Sequence, residues 1–92
     1  MKQIRLSGRE ASVIRSLGFA LGINGVELQE NTRIAAEDLV DVLNGLMEVG
    51  YVECVPFAEQ TTVAALTTTE YEVNSAYSHE LKTALGLGRG RA

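Results

Sequence analysis

The apolar residues change their period at Gly50, and that change constrains the chain more than any other feature. Before it, Leu39, Val42, Leu43, Leu46 and Met47 recur at the spacing of one helix face. After it, Tyr51 to Val55 is a short run rich in β-branched and apolar residues, the signature of a strand. A glycine at the junction supplies the left-handed residue that stops a helix. A leucine-rich helix that runs straight into a strand therefore stands near the middle of the chain, and everything else must pack around it.

Upstream, Ser7-Gly8-Arg9-Glu10 has capping-box spacing, so a first helix is expected from there, with Ala11, Ile14, Leu17, Gly18 and Leu21 as its buried stripe. Gly22-Ile23-Asn24-Gly25 reads as the turn that ends it. Phe19 lies off the stripe and needs cover from the C-terminal segment or from another subunit. Val26 to Asn31 suits a short second helix, Thr32-Arg33 a turn, and Ile34 a plug between helices. Downstream, Pro56 to Gln60 separates Tyr51–Val55 from a second β-rich run, Thr61 to Leu66, which together predict a two-stranded hairpin. Thr67-Thr68-Thr69-Glu70 repeats the capping-box spacing, and Val73, Ala76, Tyr77, Leu81, Ala84 and Leu85 predict a C-terminal amphipathic helix.

The chain has 92 residues, enough for one domain that buries roughly 60–65% of its unfolded surface and too few for two. We place that domain at residues 1–85 and read residues 86–92 as a flexible glycine- and arginine-bearing tail. With 46% hydrophobic and 22% charged residues, nothing in the composition resists packing. The single cysteine, Cys54, excludes an intrachain disulfide, and a zinc site would have to be assembled from Cys54, His79 and carboxylates. No metal or cofactor is expected. No stretch near Met1 has the apolar length of a leader, and none approaches the roughly 18 residues of a membrane span, so a cytoplasmic protein of prokaryotic style is expected.

From Val26 to Val55 the pattern is Leu28, Thr32-x-Ile34, Leu39, Leu43, Leu46 and then Glu48-Val49-Gly50-Tyr51-Val52-Glu53. This resembles the core of winged helix-turn-helix regulators of the MarR-like kind, in which a leucine-rich third helix ends at a glycine and turns directly into the first wing strand. The resemblance covers about three quarters of the chain, and it implies an α+β, mostly α fold: three helices, a two-stranded β-wing and a C-terminal helix. It further implies a DNA-binding transcriptional regulator acting as a homodimer through that last helix. On this reading Arg33, Asn44, Arg89 and Arg91 touch DNA, while Phe19, Phe57, Tyr77 and Leu81 meet a protein partner.

Charge cuts across that implication. Of the twelve acids, nine lie between residues 34 and 85, where Lys82 is the only lysine or arginine, and the remaining lysines and arginines lie in residues 2–33 and 89–91. The exposed side of the third helix reads Glu37, Asp38, Asp41, Asn44 and Glu48, and the wing carries Glu53, Phe57 and Glu59. Affinity for a duplex comes largely from neutralising phosphates with lysine and arginine, so each acid there subtracts from it. The alternative is a winged helix that binds protein, taking a basic partner on its acidic third helix without touching DNA.

No catalytic set is discernible. His79 has neither a second histidine nor an activated nucleophile to serve, and it reads as a solvated side chain. Cys54 alternates with apolar neighbours and reads as a small buried hydrophobe. Gly86-x-Gly88-x-Gly90 follows a helix and lacks the lysine of a phosphate loop.

Overall fold

A computed structural model describes residues 4–19 and 21–86. Four α-helices and three short strands follow one another along it: α1 (Gly8–Leu17), β1 (Ile23–Asn24), α2 (Gly25–Thr32), α3 (Ala36–Val49), β2 (Val52–Val55), β3 (Glu70–Val73) and α4 (Ser78–Ala84). Single 3-10 turns at Ala64–Thr67 and Ser75–Tyr77 punctuate the second half. The class is α+β, and among the described residues no helix is long and apolar enough to cross a membrane.

Local chemistry accounts for the helix ends. Ser7 caps α1 reciprocally: its hydroxyl accepts from the Glu10 amide at 3.2 Å, and the Ser7 amide donates to the Glu10 carboxylate at 2.8 Å. Asn24 caps α2 by accepting from the Val26 amide at 2.7 Å. Gly50 closes α3 at φ +100°, donating to the Leu46 and Met47 carbonyls, as the change of period predicts.

The leucine face of α3 forms the centre of the core. Leu39, Leu43 and Leu46 are buried against Val13, Ile14 and Leu17 of α1, Leu28 of α2, Val52 and Cys54 of β2, and Tyr71 of β3. Cys54 is one more buried apolar group there, its thiol 3.4 Å from the Ala58 carbonyl.

Four expectations need correction. First, the predicted strand at Thr61–Leu66 does not form. Leu66 is instead drawn into the core beneath α2 on a 3-10 turn, and the second strand of the hairpin is Glu70–Val73, where Tyr71 is fully buried between exposed Glu70 and half-buried Glu72. Second, the C-terminal helix starts at Ser78, because the Thr67–Glu70 segment leads into β3 rather than capping a helix. Third, the sheet has three strands in the order β1-β3-β2: Ile23-Asn24, expected as a turn, pairs antiparallel with Tyr71 and Glu70. Fourth, the α1 stripe stops at Leu17, since Gly18 takes φ +71° and breaks the helix, leaving Leu21 81% exposed.

The connection from β2 to β3, residues 56–69, is not a projecting loop along its whole length. Its second half is tied down. Thr61 bonds α3, Leu66 fills the space beside α2, the Thr67 carbonyl accepts from Asn24 Nδ2 at 3.0 Å, and the Thr69 carbonyl accepts from the Gly25 amide at 3.2 Å. The longest uninterrupted exposed run in it is residues 56–60, joined to β2 through a cis Val55–Pro56 peptide.

Candidate binding groove

Helical spacing puts Asp41, Gly45 and Glu48 along one side of α3, opposite its buried leucines. That side looks across at β2, the edge strand of the sheet, and at the exposed residues that follow it. Between them lies an open groove of about 910 Å³. Asp41 and Glu48 of α3 and Glu59 line it, and it is bordered also by Glu53 of β2 and Glu72 of β3, a cross-strand pair that alternates with the buried Cys54 and Tyr71 and also lines a smaller pocket beside Gly18, Phe19 and Leu21. These are five carboxylates, and no lysine or arginine lines the groove among the described residues. Phe57, 83% exposed, and Val55 give it an apolar lip.

Asn44 holds the groove's geometry. Its side-chain oxygen accepts from the Thr61 amide at 2.7 Å and its amide nitrogen donates to the Thr61 carbonyl at 3.2 Å, so one residue satisfies both backbone groups of Thr61. The Thr61 hydroxyl in turn bonds the Tyr71 phenol inside the core. Burial pushes the Tyr71 phenol above its ordinary pKa of 10.0, while hydrogen bonds with Thr61 and Thr69 pull the other way. Through this chain of contacts the connection is fastened to α3 on one side and to β3 on the other.

Of the residues singled out for DNA, two fall within the described part of the chain. Arg33 is exposed at the end of α2, in the left-handed conformation at φ 60°. Asn44 is half-buried with both polar atoms already engaged by Thr61, which corrects its assignment as a DNA-contacting side chain. Arg89 and Arg91 lie outside the described residues. Arg9, at the start of α1, reaches Asp38 of α3 at 3.6 Å, a mostly solvent-exposed pair of small energetic weight.

The partner-facing residues divide. Phe57 is displayed at the groove lip. Tyr77 packs edge-on against Tyr51 at 5.1 Å and is 36% exposed. Phe19 is partly buried, with the Lys82 ammonium 5.3 Å from its ring centre, so α4 covers it from within the same chain. Leu81 is fully buried in the domain's own core and is not available to a second subunit; this corrects its assignment as a dimer contact. The rest of the seven-residue α4 offers mainly polar side chains to solvent, among them His79, Glu80 and Lys82.

Sequence reasoning misses Gly45 and Glu72. Gly45 has a signal: a glycine inside a strongly amphipathic helix, on the polar side, between two acids. Glu72 has none, because the residue pattern around it predicts a helix. Among the described residues, no three histidine, cysteine, aspartate or glutamate side chains are grouped closely enough to hold a metal ion, so the groove's acids are spread along its walls. Comparison with protein-family models, with curated proteins and with solved structures gives no match for this chain.

Proposed function

We propose that this chain is a winged-helix domain whose role is to bind another protein rather than to read duplex DNA or to catalyse a reaction. The order helix, strand, helix, helix, strand, strand, helix, with the short first strand beside the third, supports this reading, in which α3 would be the counterpart of the recognition helix. What carries the functional reading is the lining of the groove between α3 and β2: five carboxylates and no base where a duplex would require cations. The fastening of residues 61–69 adds to it. A wing that probes DNA projects from the domain, whereas this connection folds back onto α2 and α3. A lone, buried cysteine fits a reducing compartment such as the cytoplasm.

The DNA-binding regulator remains the competing reading, supported by the exposure of Arg5, Arg15 and Arg33. Fluorescence anisotropy with a random-sequence duplex at about 50 mM and then about 200 mM salt separates the two. The protein-binding reading expects no association at either concentration. Micromolar binding that collapses at the higher salt, and that is lost in an Arg5→Gln, Arg15→Gln, Arg33→Gln variant, would establish a phosphate-contacting surface instead.

A further inference from the structure

The groove carries a feature that its charge does not explain. Gly45 sits in the middle of α3, a helix of fourteen residues, where glycine costs about 1 kcal/mol relative to alanine. Two reasons usually justify such a glycine, and neither applies. Its backbone is not left-handed, and a Cβ built on it meets no other atom within 4 Å, so no neighbouring element presses against it. The bare turn faces the groove, with Asp41 one turn before it and Glu48 one turn after. An open surface that a single methyl group would begin to fill suits close approach by something outside this chain.

We propose that the groove takes a lysine- and arginine-rich segment of a partner polypeptide, laid directly over Gly45 with its cations on Asp41, Glu48, Glu53, Glu59 and Glu72. The proposal rests on the protein-binding reading and names its partner by chemistry. Charge complementarity selects the occupant: five acids and no base repel nucleic acids and acidic peptides alike, and they favour cations delivered along a chain. The length of the groove, from Asp41 past Glu48 on one wall and along all four residues of β2 on the other, suits a polypeptide rather than a compact small molecule. Phe57 and Val55 at the lip offer apolar contact to the aliphatic stems of lysine and arginine, whose heads then reach the carboxylates.

The test uses the complete chain and a fluorescein-labelled ten-residue peptide that alternates arginine and glycine, followed by anisotropy at two salt concentrations. Binding is expected, weakening with salt, and absent for the counterpart peptide that alternates glutamate and glycine. Gly45→Leu is the decisive variant, because it begins to fill the groove at a point where a Cβ has open space and where leucine is the better helix former. It should melt no lower than the parent and yet lose affinity by roughly tenfold or more, the equivalent of one 1.4 kcal/mol step in binding. The pair Glu48→Gln with Glu53→Gln should weaken binding similarly. Glu27→Gln with Glu30→Gln removes the same charge from α2, outside the groove, and should change affinity less than about twofold.

Equal losses for both charge pairs, or undiminished affinity in Gly45→Leu, would overturn the proposal and leave the protein-binding reading standing. Salt-sensitive duplex binding would instead overturn the reading beneath it. Self-association of the complete chain that vanishes with Arg89→Gln and Arg91→Gln would put the tail of a second copy in the groove, and that too would overturn assignment to a foreign partner.

Discussion

Gly25 and Gly45 both lie within helices, and their surroundings are opposites. Gly25 opens α2 in a closed region: a Cβ there would stand 2.7 Å from the Leu66 carbonyl oxygen and 2.8 Å from the Leu66 Cα, closer than any real contact of that kind. Gly45 lies in an open region, where the same atom would touch nothing. The first glycine exists so that the β2–β3 connection can fold back onto the helices. No packing constraint accounts for the second. The difference separates a glycine required by the fold from one for which the fold has no use, and it locates the second kind in the acidic groove.

The largest expected effect comes from breaking what the two regions share, the leucine face of α3. Leu43→Asp places an unpaired carboxylate at a fully buried position and should destabilise by several kcal/mol, comparable with the ~5–15 kcal/mol that holds a small domain folded. Circular dichroism should then show no cooperative thermal transition. A cooperative melt near that of the parent would mean that α3 does not join the closed and open regions through one core.

Gly25→Ala comes next. The added methyl meets backbone, which cannot rotate away as a side-chain tip can, so either α2 or the 3-10 turn at Ala64–Thr67 must shift. A loss of about 1–3 kcal/mol is expected, read from urea denaturation with an unchanged slope. Were the variant as stable as the parent, the closeness of Leu66 would have no energetic meaning and the contrast between the glycines would fail from that side.

How legible the molecule was from its residues follows the same division. The capping box at Ser7, the leucine face of α3 and the stop at Gly50 are local devices, each specified by residues within a turn or two of one another, and all three stand in the structure. The closed region is not legible from local sequence because its determinants are far apart along the chain. Thr61–Leu66 has good strand composition, but Leu66 finds a buried place beside Gly25 and Thr61 finds Asn44, and these tertiary contacts override local preference. Once that segment is occupied elsewhere, β3 is supplied by Glu70–Val73, and Ile23-Asn24 becomes its other neighbour. In the groove the acids of α3 were visible from helical spacing, whereas the approach of Glu72 depended on the hairpin register, in which it pairs with Glu53. Leu81 was legible as apolar but not as inward-facing, since an amphipathic helix does not state whether it covers its own core or a neighbour's.

Asn44→Ala tests the boundary between the fastened and the free parts of residues 56–69. It removes both bonds to the Thr61 backbone and leaves a buried residue's amide and carbonyl without that partner, for a cost of about 1–3 kcal/mol. Amide exchange at Thr61 should accelerate with it. Phe57→Ala, a few residues earlier in the free part, should stay within about 0.5 kcal/mol of the parent because the ring is already 83% exposed. Similar costs for the two variants would erase the boundary.

The smallest effect has the opposite sign. Gly45→Ala gains helix propensity, lowers the entropy of the unfolded chain and displaces nothing, so the domain should become more stable by about 0.5–1 kcal/mol. The same exchange at Gly25 lowers stability, which makes the pair a test in which sign rather than size decides. If Gly45→Ala destabilised the domain, the helix would need the bare turn for its own packing, and the groove would lose the one feature that charge alone does not account for. If it stabilises, the chain carries at that position a residue worse for its own folding than the simplest alternative. Such a residue is expected where the surface serves contact with another molecule rather than the stability of the domain that presents it.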